Sequence, residues 1–173
     1  MDFKRTKEIL VEFASAVVKL AKRNARKKKA SGSLQRSISY NLHESENSME
    51  LDFKMNSYGK YVDAGVDGKK VKYGSRKFGL PTYSYKDKMP PTKKLDKWVV
   101  RKNLKGIRDA KGRFKNRQSL LFAISKSIFR RGFKPTYFFT QAFEQEYKKL
   151  PSEFLDAYSL DVLDFLEQTT KTQ

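Results

Sequence analysis

The 173-residue sequence contains no cysteine and a single histidine, His43. Disulfide bonds, thiolate zinc sites, cysteine nucleophiles and any mechanism that needs two histidines are therefore excluded. His43 falls on the polar side of a predicted strand, where a surface role is expected. A glycine-rich phosphate loop and a dinucleotide-binding fingerprint are also missing. The sequence thus predicts no cofactor, no metal site and no enzymatic activity.

The sequence also lacks an apolar run as long as a signal peptide or a membrane span. We therefore expect a protein that is made and kept in a cytoplasm and has no membrane contact. The length fits one domain, which we place at residues 1–168, with a frayed tail at 169–173.

Acidic residues are scarce, with 19 Asp and Glu against 38 Lys and Arg, for a formal charge of +19. A content of 38% hydrophobic and 13% aromatic residues is typical of a folded chain rather than a disordered polycation. Residues 67–117 alone contain 18 basic and 4 acidic residues, interleaved with tyrosine and phenylalanine. This composition favours a polyanion such as nucleic acid, bound through its backbone without base recognition.

Hydrophobic periodicity predicts an α+β fold with a long N-terminal helix packed on a small antiparallel sheet. The helix covers residues 3–28, and the sheet is a hairpin of residues 38–42 and 49–55. An aromatic segment from Tyr58 to Gly65 is expected to lie on the core. Long basic surface loops are predicted at 66–91 and 103–117. The remaining helices are predicted after Pro91, at 119–131, from Tyr137 and around or after Pro151.

The alternation of residues in the second predicted hairpin strand suggests one candidate catalytic site. Glu50, Asp52 and Lys54 share one face of the second hairpin strand, as a magnesium nuclease of the Asp/Glu-x-Lys type requires. The same pattern is typical of a solvated hairpin face, which is the simpler interpretation. A free-standing nucleic-acid-binding protein or magnesium-dependent nuclease is therefore the alternative hypothesis, and a ribosome-associated basic protein is a third.

Several short motifs follow one another along residues 31–166. The motifs are Gly32-x-Leu34-x-x-Ser37-Ile38, Tyr58-x-x-Tyr61-Val62-Asp63-x-Gly65, Leu121-Phe122-Ala123-Ile124, Arg131-Gly132-Phe133-Lys134-Pro135 and Phe138-Phe139-Thr140-Gln141-Ala142-Phe143. Their types and order resemble the tail-completion or head-tail joining proteins (neck and minor tail proteins) of tailed bacteriophages.

The resemblance implies a structural virion protein that forms a six-fold or twelve-fold homo-oligomeric ring in the neck. Such a ring joins a portal or adaptor protein to tail proteins and surrounds the channel for genomic DNA. Subunit packing would use the segment with Tyr58, Tyr61, Val62, Asp63 and Gly65. The basic residues expected to contact the DNA backbone or an adjacent ring are Lys69, Lys70, Lys72, Arg76, Lys77, Lys105, Arg108 and Arg113.

Overall fold

The computed structural model of the chain describes residues 3–26, 32–45, 48–74, 76–104, 112 and 116–171, the stretch 165–171 as backbone alone. In chain order the elements are α1 (Lys4–Arg26), α2 (Ser33–Ser37), β1 (Ser39–Ser45), β2 (Ser48–Lys54), α3 (Gly59–Ala64), β3 (Val66–Asp67), a 3-10 turn (Lys77–Gly79), β4 (Tyr83–Ser84), α4 (Thr92–Arg101), α5 (Arg117–Arg131), β5 (Gly132–Phe133), α6 (Thr140–Tyr147) and α7 (Leu150–Lys171).

These elements form two compact units. The terminal unit consists of Met1–Asn56 with Phe138–Gln173, and the central unit consists of Ser57–Tyr137. The predicted α+β class, with a long N-terminal helix, C-terminal helices and small antiparallel sheets, is confirmed. The assignment of residues 1–168 to one domain stays a prediction.

In the terminal unit, α1 buries one face along its length. Phe13, Ala14, Val17, Val18 and Ala21 recur at helical spacing and are buried against α6, α7 and the hairpin. The same spacing leaves Lys7, Glu12 and Lys19 exposed. The predicted amphipathic helix is confirmed, because its apolar period matches 3.6 residues per turn.

The hairpin of β1 and β2 is antiparallel, as predicted. Tyr40 lies opposite Phe53, and Leu42 lies opposite Leu51, so these apolar side chains share one face. Phe53 contacts Phe13 of α1 edge to face, with ring centroids 6.3 Å apart. Phe143 of α6 contacts both rings at 5.6 and 6.0 Å. This aromatic cluster joins helices and hairpin in one core.

A carboxylate of α7 caps the start of α1. Asp161 accepts hydrogen bonds from the Thr6 amide at 2.9 Å and the Thr6 hydroxyl at 2.8 Å. It also accepts a longer bond from the Arg5 amide at 3.4 Å and one from the Arg5 guanidinium at 3.3 Å. The first amides of a helix have no partner within the helix, and a negative charge there is stabilised by the helix dipole. Asp161 thus fastens α7 to α1.

In the central unit, α4 packs on α5. The core contains Val99, Leu120 and Leu121, surrounded by Leu95, Trp98 and Ile124. The Asn116 side chain caps α5 by accepting a hydrogen bond from the Gln118 amide at 3.2 Å. Both helices lie where the sequence predicts them.

A small sheet in the central unit has the strand order β4-β3-β5. β3 pairs parallel to β4 and antiparallel to β5. The prediction of 66–91 as a surface loop is therefore corrected, since β3 and β4 lie within it. The pairing of Val66 with Phe133 joins residues far apart in sequence, which local periodicity does not reveal.

Pro151 stands in the first turn of α7, where its missing amide hydrogen costs no helical bond. It therefore starts a new helix, one of the two roles that the sequence allowed. α7 runs to Lys171, whereas 172–173 lie outside the described residues. No described helix combines the length and apolar character that crossing a membrane requires.

Candidate polyanion-binding surface

The net positive charge of the chain lies almost entirely in the central unit. Ser57–Tyr137 contains 23 Lys and Arg and 5 Asp and Glu, a net charge of +18. The terminal unit contains 15 and 14, a net charge of +1. Since like charges repel within a compact unit, this distribution favours an anionic partner for the central unit.

Two of the motifs quoted above meet inside the central unit. The carbonyl of Asp63 accepts hydrogen bonds from the amides of Thr136 and Tyr137, both at 3.1 Å. The Thr136 hydroxyl donates to the carbonyl of Val62 at 2.8 Å. The segment with Asp63 and the chain just after Pro135 are therefore joined through their backbones.

Glycine allows this close approach. Gly65 has φ +75°, and a Cβ there would lie 2.6 Å from the nitrogen of Pro135. Gly132 has φ +72°, and a Cβ there would lie 1.9 Å from the carbonyl oxygen of Val66. Any larger residue would push the two chain segments apart. The glycines of both motifs therefore have a packing role, and no catalytic group is needed to explain them.

The basic segment after β3 caps the C-terminal end of α5. The amide of Lys69 donates to the carbonyl of Phe129 at 2.9 Å. The amides of Lys70 and Val71 donate to the carbonyl of Arg130 at 2.9 and 3.2 Å. These carbonyls have no partner within the helix, so the segment satisfies them. The backbone of the basic loop is thereby fixed in place at the helix end.

Capping brings basic side chains of two segments together at one surface, which we call the basic cluster. Its members are exposed and comprise Lys69, Lys70, Lys72, Arg130 and Arg131. Lys69 lies 3.6 Å from the carboxylate of Asp87. Among the residues that the structure describes, the other four have no acidic side chain within ion-pair distance. Cations at a helix C-terminus are favoured by the helix dipole, and here they also present charge to solvent.

Arg76 belongs to the interior rather than to the predicted contact surface. Its side chain is fully buried and donates to Asp67 at 2.6 Å and to the carbonyl of Gly74 at 2.9 Å. Burial alone raises the pKa of Asp67, but hydrogen bonds from Arg76 and the Tyr73 amide outweigh it and hold that pKa below its ordinary value. A buried cation with a buried partner is not available to phosphate, so Arg76 is removed from the candidate surface.

Of the other predicted basic contacts, the structure describes only Lys77. Lys77 is exposed, and its amide donates to the hydroxyl of Tyr137 at 3.2 Å. Lys105, Arg108 and Arg113 lie outside the described residues. Sequence reasoning missed Arg130 and Arg131, although a basic pair directly before a helix-ending glycine is a visible signal.

The predicted subunit-packing segment is divided between surface and interior. Tyr58 and Tyr61 are exposed, so the expectation that they lie on the core is wrong. Val62 is half-buried, whereas Asp63 and Gly65 are buried. The reason is that α3 is a short helix whose inward positions are taken by small residues and Asp63. The two tyrosines remain accessible to a neighbouring molecule.

The hairpin face with Glu50, Asp52 and Lys54 is polar and lies opposite its apolar face. His43 Nε2 lies 3.6 Å from Asp52 Oδ2, and both side chains are about half exposed. In the part of the chain that the structure describes, no three carboxylate or imidazole side chains gather to hold a metal ion. The geometry is that of a solvated hairpin face.

Comparisons of the chain with protein-family models, curated proteins and solved structures find no match.

Proposed function

We propose that this chain is a structural protein of the neck of a tailed bacteriophage. Identical copies form a ring between the portal side of the capsid and the tail, and the ring surrounds the passage for DNA. The supporting observation is that motifs carrying the resemblance pack against one another through backbone hydrogen bonds and glycine contacts. These motifs supply packing residues and no catalytic group, which fits an assembly protein better than an enzyme.

The charge distribution supports the same proposal. A central unit with a net charge of +18 suits a surface that faces DNA phosphates or an acidic neighbouring ring. The nearly neutral terminal unit does not need an anionic partner to offset repulsion between its charges. In this proposal the basic cluster makes contacts that are independent of base sequence, because DNA of any sequence must pass.

Quantitative mass spectrometry of purified virus or induced prophage particles tests the proposal. The copy number of this chain is measured relative to that of the portal protein in the same particles. A fixed ratio that matches a ring is expected. Absence of the chain from particles would contradict the proposal.

The alternative hypotheses have their own outcomes. Binding of the purified chain to DNA together with absence from particles would favour a free-standing nucleic-acid-binding protein. Magnesium-dependent nicking of plasmid DNA that disappears in Asp52→Ala would favour a nuclease.

A further inference from the structure

One face of α7 exposes leucine side chains that have no covering element among the described residues. Leu160 and Leu163 are 50% and 54% exposed. Asp156 stands on the same face, because residues 156, 160 and 163 follow the i, i+4, i+7 spacing of one helix side. The face is therefore apolar with an acidic side chain at its N-terminal end.

One face of α5 has the opposite charge. Phe122 is 50% exposed, and the ammonium of Lys126 lies 5.9 Å from the centre of its ring. Residues 122 and 126 are one turn apart, and the α5 sequence contains no acidic residue. This face is therefore an exposed aromatic patch bordered by a cation.

We infer that the α7 face of one copy docks on the α5 face of a second copy of this chain. The leucines would cover Phe122, and Asp156 would face Lys126 across the interface. Clusters of exposed apolar side chains mark interaction sites, and opposite charges select the partner surface. The inference rests on the proposed function, since it names the surfaces that join neighbours in the ring.

Charge favours contact between unlike faces over contact between like faces. A two-fold contact of α7 with α7 would bring the Asp156 carboxylates of the two copies close together. A two-fold contact of α5 with α5 would likewise bring the two Lys126 ammonium groups together, and both arrangements are repulsive. Residues 141–173 have a net charge of −4, whereas the central unit has +18. A contact between two different faces is heterologous, and repetition of a heterologous contact closes a ring when the rotation permits.

Charge exchange in the full-length chain tests this inference by sedimentation velocity. Asp156→Lys alone and Lys126→Glu alone are each expected to weaken self-association at least about tenfold, since each places like charges together. An equimolar mixture of the two variants is expected to associate again. In that mixture every α7 face finds an α5 face of opposite charge. The double variant is expected to associate as the wild type does.

Matched control variants change the same charges elsewhere. Glu12→Lys alters an exposed position of α1, and Lys93→Glu alters an exposed position of α4. Both are expected to leave self-association unchanged. Circular dichroism of every variant checks folding, and exposed positions make a folded product the expected result.

Cysteine cross-linking provides a second measurement, and the natural sequence has no cysteine to interfere. A chain carrying Phe122→Cys and Leu160→Cys is expected to form a ladder of covalent oligomers under oxidation. A chain carrying either substitution alone is expected to stop at dimers. A wild-type chain that stays monomeric at every concentration would overturn the inference. So would a double-cysteine chain that gives no ladder, or a mixture of the charge variants that fails to associate.

The outcomes separate this inference from the proposed function. Presence of the chain in particles at a fixed ratio, without rescue in the mixed variants, would leave the neck assignment standing and remove this interface. Rescue in the mixed variants, with no chain in particles, would establish the interface and remove the neck assignment.

Discussion

At the scale of single residues, Asp161 gives the clearest dependence of stability on pH. Burial raises its pKa, but hydrogen bonds from Thr6 and Arg5 more than offset this, so the pKa lies below its ordinary value. A carboxylate with a depressed pKa contributes stability above the pKa of the unfolded chain, about 4, and loses it as pH falls through the folded value. Asp161→Asn removes that contribution.

We expect Asp161→Asn to lower the free energy of unfolding by about 1–3 kcal/mol at pH 7. The neutral amide accepts hydrogen bonds from the N–H and O–H donors of α1 less strongly than the carboxylate does. Urea denaturation at pH 7 and pH 3 measures this. The difference from the wild type should shrink at pH 3. The exposed Glu12→Gln is the control and should change stability by less than about 0.5 kcal/mol. An equal loss at both pH values would contradict the assigned role.

At the scale of elements, the Arg76–Asp67 pair is expected to hold the basic loop in order. Arg76→Met would leave a buried carboxylate without its cation, which costs about 3–5 kcal/mol. Thermal unfolding measures the loss of stability, and trypsin cleavage after the lysines of 69–77 measures the opening of the loop. Cleavage should be faster in the variant.

The control for this prediction is Lys77→Met, in which an exposed cation of the same loop is removed. Its stability should equal that of the wild type. The double variant with Asp67→Asn and Arg76→Met should recover part of the lost stability, because no buried charge remains. A wild-type cleavage rate in Arg76→Met would show that the loop is held by its backbone bonds to α5 instead.

Elements also show how far sequence reasoning reaches. α1, α5 and the hairpin were predictable because their apolar periods are local and unbroken. The sheet of the central unit was not, since β3 and β5 have two residues each and pair across the length of the unit. The burial of Arg76 escaped prediction for a similar reason: a basic segment gives no sign that one of its cations has an interior partner.

At the scale of the whole molecule, DNA binding should depend more on where the positive charge lies than on the total charge. Removing the basic cluster with Lys70→Gln, Lys72→Gln and Arg130→Gln should weaken binding to duplex DNA equally for all base sequences. Each lost phosphate contact lowers the slope of log K against log salt by roughly 0.9, so the slope should fall by up to about 2.7. Fluorescence anisotropy across a salt series measures both quantities.

The control variant for this prediction removes the same charge from another place in the same unit. Lys93, Lys94 and Lys97 are exposed on α4, and all three are changed to Gln. A smaller loss of affinity and slope is expected. Equal losses in both variants would mean that only the total charge of the central unit acts on DNA.

The cap that Asp161 places on α1 has a consequence for synthesis on the ribosome. Thr6 and Asp161 are 155 positions apart, which takes about 8–30 s to translate at 5–20 residues per second. The residues of the central unit are contiguous and emerge during that interval, so this unit can fold first. α1 must wait for its cap, and until α6 and α7 emerge only the hairpin is present to cover part of its apolar face. Binding of a chaperone to the nascent chain is therefore expected at α1 rather than at the central unit.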